Sequence, residues 1–102
     1  MIHVLAIITA QPGQRDAVLT HFRANIPAVM AEQGCIEYGP AIDMDNGPAS
    51  QSKLGSDSFV VIEKWESAAA LAAHAAAPHM AAYAAKVKDM LAGRVIHILS
   101  PA

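Results

Sequence analysis

Five side chains that can move protons or stack on an aromatic ligand lie close together in the second half of the chain. Glu63 and Trp65 lie two positions apart in a run rich in β-branched and aromatic residues, and His74, His79 and Tyr83 follow in an alanine-rich stretch. Carboxyl, imidazole and phenol groups are the common general acids and bases of enzymes. This stretch therefore predicts a site of proton transfer beside an aromatic surface, with Glu63, His74 and His79 as the candidate catalytic residues.

The two histidines do not have the spacing of a zinc-binding helix. His74 and His79 are separated by Pro78 and lie five positions apart, whereas the two zinc ligands of a helix face are one turn apart. The single cysteine, Cys35, excludes an internal disulfide and a cysteine-based zinc site. We therefore expect no metal. Helix capping by His79 and packing by His74 stay open beside a catalytic role.

Glu63 is the more informative candidate because of the strand in which it lies. It shares one strand face with Phe59 and Trp65, and a carboxylate on a covered face needs a hydrogen-bonding partner. Burial raises the pKa of a carboxyl group, which favours Glu63 as a proton acceptor near neutral pH. The alternative is a structural hydrogen bond between strand and helix. For four aromatic residues both ligand binding and core packing stay open: Tyr38, Phe59, Trp65 and Tyr83.

Hydrophobic periodicity predicts the elements that position these residues. Strands are expected at residues 2–9, 35–45, 58–66 and 94–99, an amphipathic helix at 14–33 and a loop at 46–57.

A second helical region begins after Ser67, which is a suitable N-cap. It is interrupted at Pro78 and continues to about Leu91, where Gly93 ends it. In the second strand, Gly39-Pro40 predicts a bulge or an edge position.

The resulting order, β-α-β-β-α-β, is that of a ferredoxin-like fold of the α+β class, in which helices cover one face of a four-stranded antiparallel sheet. The strands of this chain carry apolar residues on both faces, so the second face needs a cover as well. We expect that cover to be the sheet of a second copy. This gives a homodimer with a pocket between sheet and helices in each subunit.

Composition narrows the class of protein. The 102 residues support one domain, 1–102, and 54% of them are hydrophobic, which leaves apolar surface for a subunit interface or an apolar ligand. Seven scattered Lys and Arg against nine Asp and Glu argue against binding to nucleic acid. No apolar run reaches the length of a membrane span, and the N-terminal residues alternate like a strand. We expect a cytoplasmic protein.

Two short elements resemble those of a known family. They are E-x-W-x-S, here Glu63, Trp65 and Ser67, and P-H-x-x-x-Y, here Pro78, His79 and Tyr83. Together with GCIEYGPAID before them and VIHILSPA after them, they resemble the antibiotic biosynthesis monooxygenase (ABM) family over nearly the whole chain, in particular its bacterial quinol monooxygenases. The resemblance implies a dimeric α+β barrel of ferredoxin-like subunits.

The resemblance also implies a reaction. Quinol-oxidising members act on small aromatic quinols with dioxygen and without a cofactor. A base deprotonates the quinol, and the electron-rich anion then reacts directly with dioxygen. By this resemblance Glu63, His74 or His79 is the base, and Trp65 and Phe59 form pocket walls.

Other activities of this architecture fit less well. Polyketide-tailoring members carry Asn and Tyr where this chain has Val61 and Leu71, and haem-degrading members carry an iron-binding His where it has residues 84–86, Ala-Ala-Lys. Two alternative functions stay open. One is isomerisation of a phosphorylated, autoinducer-like sugar, for which the chain offers few phosphate-binding cations; the other is non-enzymatic binding of apolar metabolites by a dimer.

Overall fold

The computed structural model describes residues 1–102, and four strands form one antiparallel sheet. The strands are β1 (Ile2–Ala10), β2 (Cys35–Ala41), β3 (Ser58–Trp65) and β4 (Leu91–Leu99). Their order across the sheet is β2-β3-β1-β4, which is the ferredoxin-like arrangement with the first and third strands in the centre. The predicted fold class is confirmed. β2 occupies an edge, as Gly39 and Pro40 indicate.

Three helices cover one face of this sheet: α1 (Arg15–Met30), α2 (Ala68–Ala75) and α3 (Pro78–Val87). The predicted N-cap of α2 is confirmed, because the Ser67 hydroxyl accepts a hydrogen bond from the N–H of Ala70 at 3.1 Å. Pro78 occupies the first turn of α3, where its missing N–H leaves no helical hydrogen bond unmade. None of the helices combines the length and apolar character that a membrane crossing requires.

The C-terminal end of the second helical region differs from the prediction. α3 ends at Val87, a 3-10 turn covers Lys88–Met90, and β4 begins at Leu91, so Gly93 lies inside a strand instead of ending a helix. Backbone pairing explains the difference. Leu91 pairs with Ala10 of β1, and these cross-strand hydrogen bonds override the local tendency of glycine to end a helix.

The other two errors concern the ends of α1 and β2. α1 ends at Met30, short of the predicted residue 33, and β2 ends at Ala41, short of the predicted residue 45. Beyond β2, the Asp43 carboxylate accepts hydrogen bonds from the N–H groups of Leu54 (2.8 Å) and Gly55 (2.9 Å). Asp43 therefore closes the base of a loop instead of extending the strand.

The core lies between the helices and the covered face of the sheet. As predicted, alternate residues of β3 are buried: Phe59, Val61, Glu63 and Trp65. Phe22 of α1 packs edge-on against Phe59 with ring centroids 5.7 Å apart, and it stacks on Tyr38 of β2 at 5.1 Å. On the opposite face of the sheet, Leu5 and Val95 are exposed within the single chain.

Candidate active site

A cavity of about 420 Å³ lies between the sheet and the helices, at the place predicted for a pocket. Of its 17 lining residues 14 are hydrophobic, and this mixture of an apolar wall with a few polar groups is typical of small-molecule sites. The three remaining residues are Glu63 of β3, His74 of α2 and Arg94 of β4. Tyr38 and Tyr83 add phenol groups to the wall.

His74 is held at the cavity by three contacts. Its Nδ1 atom lies 2.7 Å from Oε2 of Glu32. Its ring lies 4.6 Å from the ring of Trp65 and 5.5 Å from that of Tyr38, measured between centroids. The residue is buried, with 5% of its surface exposed. These contacts leave the imidazole little freedom to rotate.

The contact with Glu32 decides which nitrogen of His74 is basic. A carboxylate only accepts hydrogen bonds, so Nδ1 carries the proton and its N–H donates a hydrogen bond to Glu32. Nε2 then has a free lone pair, because the hydrogen bond of the His74 ring within the chain is made at Nδ1. Because His74 lines the cavity, an imidazole oriented in this way by a carboxylate can accept a proton from a bound molecule.

Glu63 is buried at the cavity wall beside Trp65, whose indole N–H donates to its Oε1 atom at 2.9 Å. Burial raises the pKa of the Glu63 carboxyl, and this effect outweighs the lowering by the indole N–H and by the nearby His74. The predicted burial of Glu63 is confirmed. The carboxyl can therefore exchange a proton closer to neutral pH than an exposed glutamate does.

The two tyrosines of the wall are neutral hydrogen-bonding groups. Burial raises the pKa of Tyr83 to about 12. It raises the pKa of Tyr38 further, with a smaller contribution from the charge of Glu63. Both phenols stay protonated at physiological pH, so they can donate hydrogen bonds to a bound oxygen atom but do not act as bases.

Phe59 and Trp65, expected as pocket walls, do not line the cavity. Both are completely buried, with 0% exposure. They lie behind the wall because other side chains cover them, and Trp65 contacts the site only through Glu63 and His74. The aromatic and larger aliphatic parts of the wall come instead from Ile8, Phe22, Tyr38, Val61, Leu71, Met80, Tyr83 and Ile96.

His79 also lies outside the main cavity. It lines a second cavity of about 230 Å³ between α1 and α3, together with His21, Asn25, Tyr83 and Lys86. Tyr83 lines both cavities. As a candidate base, His79 is displaced from the cavity that would hold the substrate.

Glu32 is a residue of the candidate site that the sequence did not indicate. It lies in the turn that follows α1, with Oε2 on His74 and Oε1 at 3.6 Å from Nε2 of His79. No periodic pattern or short motif links a turn residue to histidines more than forty positions away. No group of three or more His, Cys, Asp or Glu side chains has the geometry of a metal site.

Comparison with known proteins identifies the family. The family model described as antibiotic biosynthesis monooxygenase matches residues 1–86. The chain belongs to the ABM family. The resemblance predicted from the E-x-W-x-S and P-H-x-x-x-Y elements is confirmed.

Individual relatives are similar over nearly their whole length. "Probable quinol monooxygenase YgiN" of Escherichia coli K12 is 45% identical over 103 residues, which cover 99% of this chain and 98% of that protein. The crystal structure of PA3566 from Pseudomonas aeruginosa superposes with a TM-score of 0.82 at 28% identity, over 99% of this chain and 93% of the other. Rv0793 from Mycobacterium tuberculosis gives a TM-score of 0.80 at 26% identity, with coverages of 99% and 94%.

Proposed function

We propose that this ABM-family protein is a cofactor-independent quinol monooxygenase or oxidase that binds a small aromatic quinol in the main cavity. The observation that carries the proposal is His74, which lines an apolar cavity while its Nδ1 atom is held by Glu32. The 45% identity to a protein named as a probable quinol monooxygenase supports the choice of substrate class.

The first step is removal of a phenolic proton from the quinol. Nε2 of His74 accepts that proton, and the resulting imidazolium is stabilised by the carboxylate of Glu32. The apolar wall excludes water, which strengthens these charge interactions. The quinolate is far more easily oxidised than the neutral quinol, so deprotonation prepares it for dioxygen.

The second step is transfer of electrons to dioxygen. In the oxidase outcome the quinol loses two electrons and two protons and O₂ becomes H₂O₂. In the monooxygenase outcome one oxygen atom is inserted into the ring, a hydroxyquinone forms and the second oxygen atom leaves as water. His74 and Glu63 both line the cavity, so they can return protons to the reduced oxygen.

The proposal includes a homodimer formed through the open face of the sheet. Leu5 of β1 and Val95 of β4 are exposed there, and Leu5 is paired across the strands with His97. Exposed apolar side chains on a sheet face need a cover. A second copy related by a two-fold axis presents the same surface and can bury it.

Oxygen uptake with a reduced naphthoquinone and metal-free, flavin-free protein tests the function. We expect consumption faster than autoxidation, with quinone plus peroxide or hydroxyquinone as product. If the rate equals the autoxidation rate, the enzyme proposal fails. Quenching of Trp65 fluorescence by the quinone would then favour a binding protein, since Trp65 contacts His74 of the wall.

A phosphorylated sugar suits this cavity poorly. Arg94 is the only cation in its wall, whereas phosphate sites usually combine several charged or N–H donors. Turnover of a sugar phosphate with no oxygen uptake would favour the isomerase over the quinol monooxygenase or oxidase.

A further inference from the structure

Glu32 contacts a second imidazole on the side away from the cavity. Its Oε1 atom lies 3.6 Å from Nε2 of His79, while Oε2 holds His74 at 2.7 Å. Nε2 of His79 is closed off from solvent and has no hydrogen-bond partner. A buried polar atom without a partner costs free energy unless a charge compensates it, and the Glu32 carboxylate supplies that charge.

Asn25 of α1 determines which nitrogen of His79 carries the proton. The Asn25 amide nitrogen lies 3.2 Å from Nδ1 of His79 and 3.4 Å from Sδ of Met80. A thioether has no hydrogen to donate, so the group that faces it is the NH₂ of the amide. That NH₂ also donates to Nδ1 of His79. The proton of the neutral ring is then on Nε2, pointing toward Glu32.

We propose that Asn25 and His79 are positioning residues that hold Glu32 against His74. Asn25 fixes the tautomer of His79, the Nε2–H of His79 faces one oxygen of Glu32, and the other oxygen of Glu32 fixes the tautomer of His74. Only the kinetic consequence of this proposal rests on the proposed function. The tautomer of His79 is independent of any activity.

The two contacts of Glu32 differ in length and therefore in strength. The 2.7 Å contact with His74 is a charge-assisted hydrogen bond. The 3.6 Å contact with His79 is longer than a hydrogen bond, so it acts as an electrostatic attraction that limits rotation of the carboxylate. His79 and Asn25 do not line the main cavity, so their loss should lower kcat much more than it changes KM.

Nitrogen-15 NMR of the histidine rings tests the tautomer directly. In the neutral form of His79 we expect a protonated Nε2 and an unprotonated Nδ1. Asn25→Asp replaces the donor by an acceptor of the same size, so Nδ1 should become protonated. His97 of β4 serves as an internal control whose spectrum stays unchanged. A protonated Nδ1 of His79 in the unmodified protein overturns the proposal.

Kinetics of two variants test the positioning role. His79→Leu removes the N–H that faces Glu32, and we expect kcat to fall by about 10-fold or more with little change in KM. His79→Gln keeps an N–H in a similar place and should recover most of the loss. Thermal unfolding of both variants checks that they fold.

Two kinetic results contradict the positioning role. One is full activity in His79→Leu; the other is an equal loss in His79→Leu and His79→Gln. If the unmodified protein itself does not oxidise quinols, the proposed function fails, while the NMR experiment still decides the tautomer.

Discussion

Nδ1 of His74 lies 2.7 Å from Oε2 of Glu32, although the two residues are 42 positions apart in the chain. The contact joins the turn after α1 to the end of α2. It places a proton on Nδ1 of His74 and leaves Nε2 with a free lone pair. The acid–base character of the site therefore depends on how these two segments pack.

Substitution of His74 should reduce quinol oxidation more than substitution of Glu32. His74→Gln removes the base, so we expect kcat to fall by about 10²- to 10⁴-fold. Glu32→Gln leaves the base but not its orientation, and a loss of about 10- to 100-fold is expected. Oxygen uptake measures both. Glu66→Gln, which changes an exposed glutamate, is the matched control, and unchanged activity in His74→Gln would exclude His74 as the base.

Glu63→Gln should stabilise the protein, and more at pH 7 than at pH 4. Burial raises the pKa of Glu63, so between its usual value of about 4.3 and the raised value the folded state binds more protons than the unfolded state. The free energy of unfolding therefore falls as pH rises through that window. Gln has no such titration, and its carbonyl oxygen can still accept the Trp65 N–H.

Thermal unfolding of Glu63→Gln and the unmodified protein at several pH values measures this effect. The difference between their melting temperatures should grow from pH 4 upward and then become constant. A difference that is independent of pH would show that the carboxyl is not desolvated.

Gly34→Ala should destabilise the fold and also lower activity. Gly34 has φ +85°, and a Cβ atom there would lie 2.6 Å from Cβ of Ala70. Positive φ alone costs a residue with a side chain about 1–2 kcal/mol, and the collision pushes α2, with His74, away from Glu32. Gly13→Ala is the matched control, since Gly13 has φ +78° but open space around it.

Chemical denaturation separates the two contributions at Gly34. The loss of unfolding free energy should be larger for Gly34→Ala than for Gly13→Ala, and only the former should lower kcat. Equal losses of unfolding free energy in the two variants would mean that the backbone conformation alone explains the need for glycine at position 34.

Val95→Glu should convert the proposed homodimer to a monomer. Val95 is exposed on the open face of the sheet, and burial of a carboxylate in an apolar interface is strongly unfavourable. Sedimentation velocity measures the change in mass. Ala28→Glu, on the exposed surface of α1, should remain dimeric. A monomeric unmodified protein would contradict the proposed assembly.

Local patterns in the sequence determine the architecture of this protein and the position of Glu63. Alternation of apolar residues in Ser58–Trp65 requires one strand face to be covered, and Glu63 is buried on that face. Ser67 and Pro78 are chemical signals for helix starts, and both helices begin there. Such features depend on a few neighbouring residues, so they can be read without tertiary structure.

The tertiary structure alone decided which polar residues share a site. Glu32 reaches His74 because α1 and α2 cover the same sheet face, and Gly34 lets the two segments approach closely. His79 falls on the far side of Glu32, and Trp65 falls behind the wall, although both belong to the same short stretch as His74. Contacts between distant segments are set by packing of the whole core, and no local periodicity in the sequence encodes them.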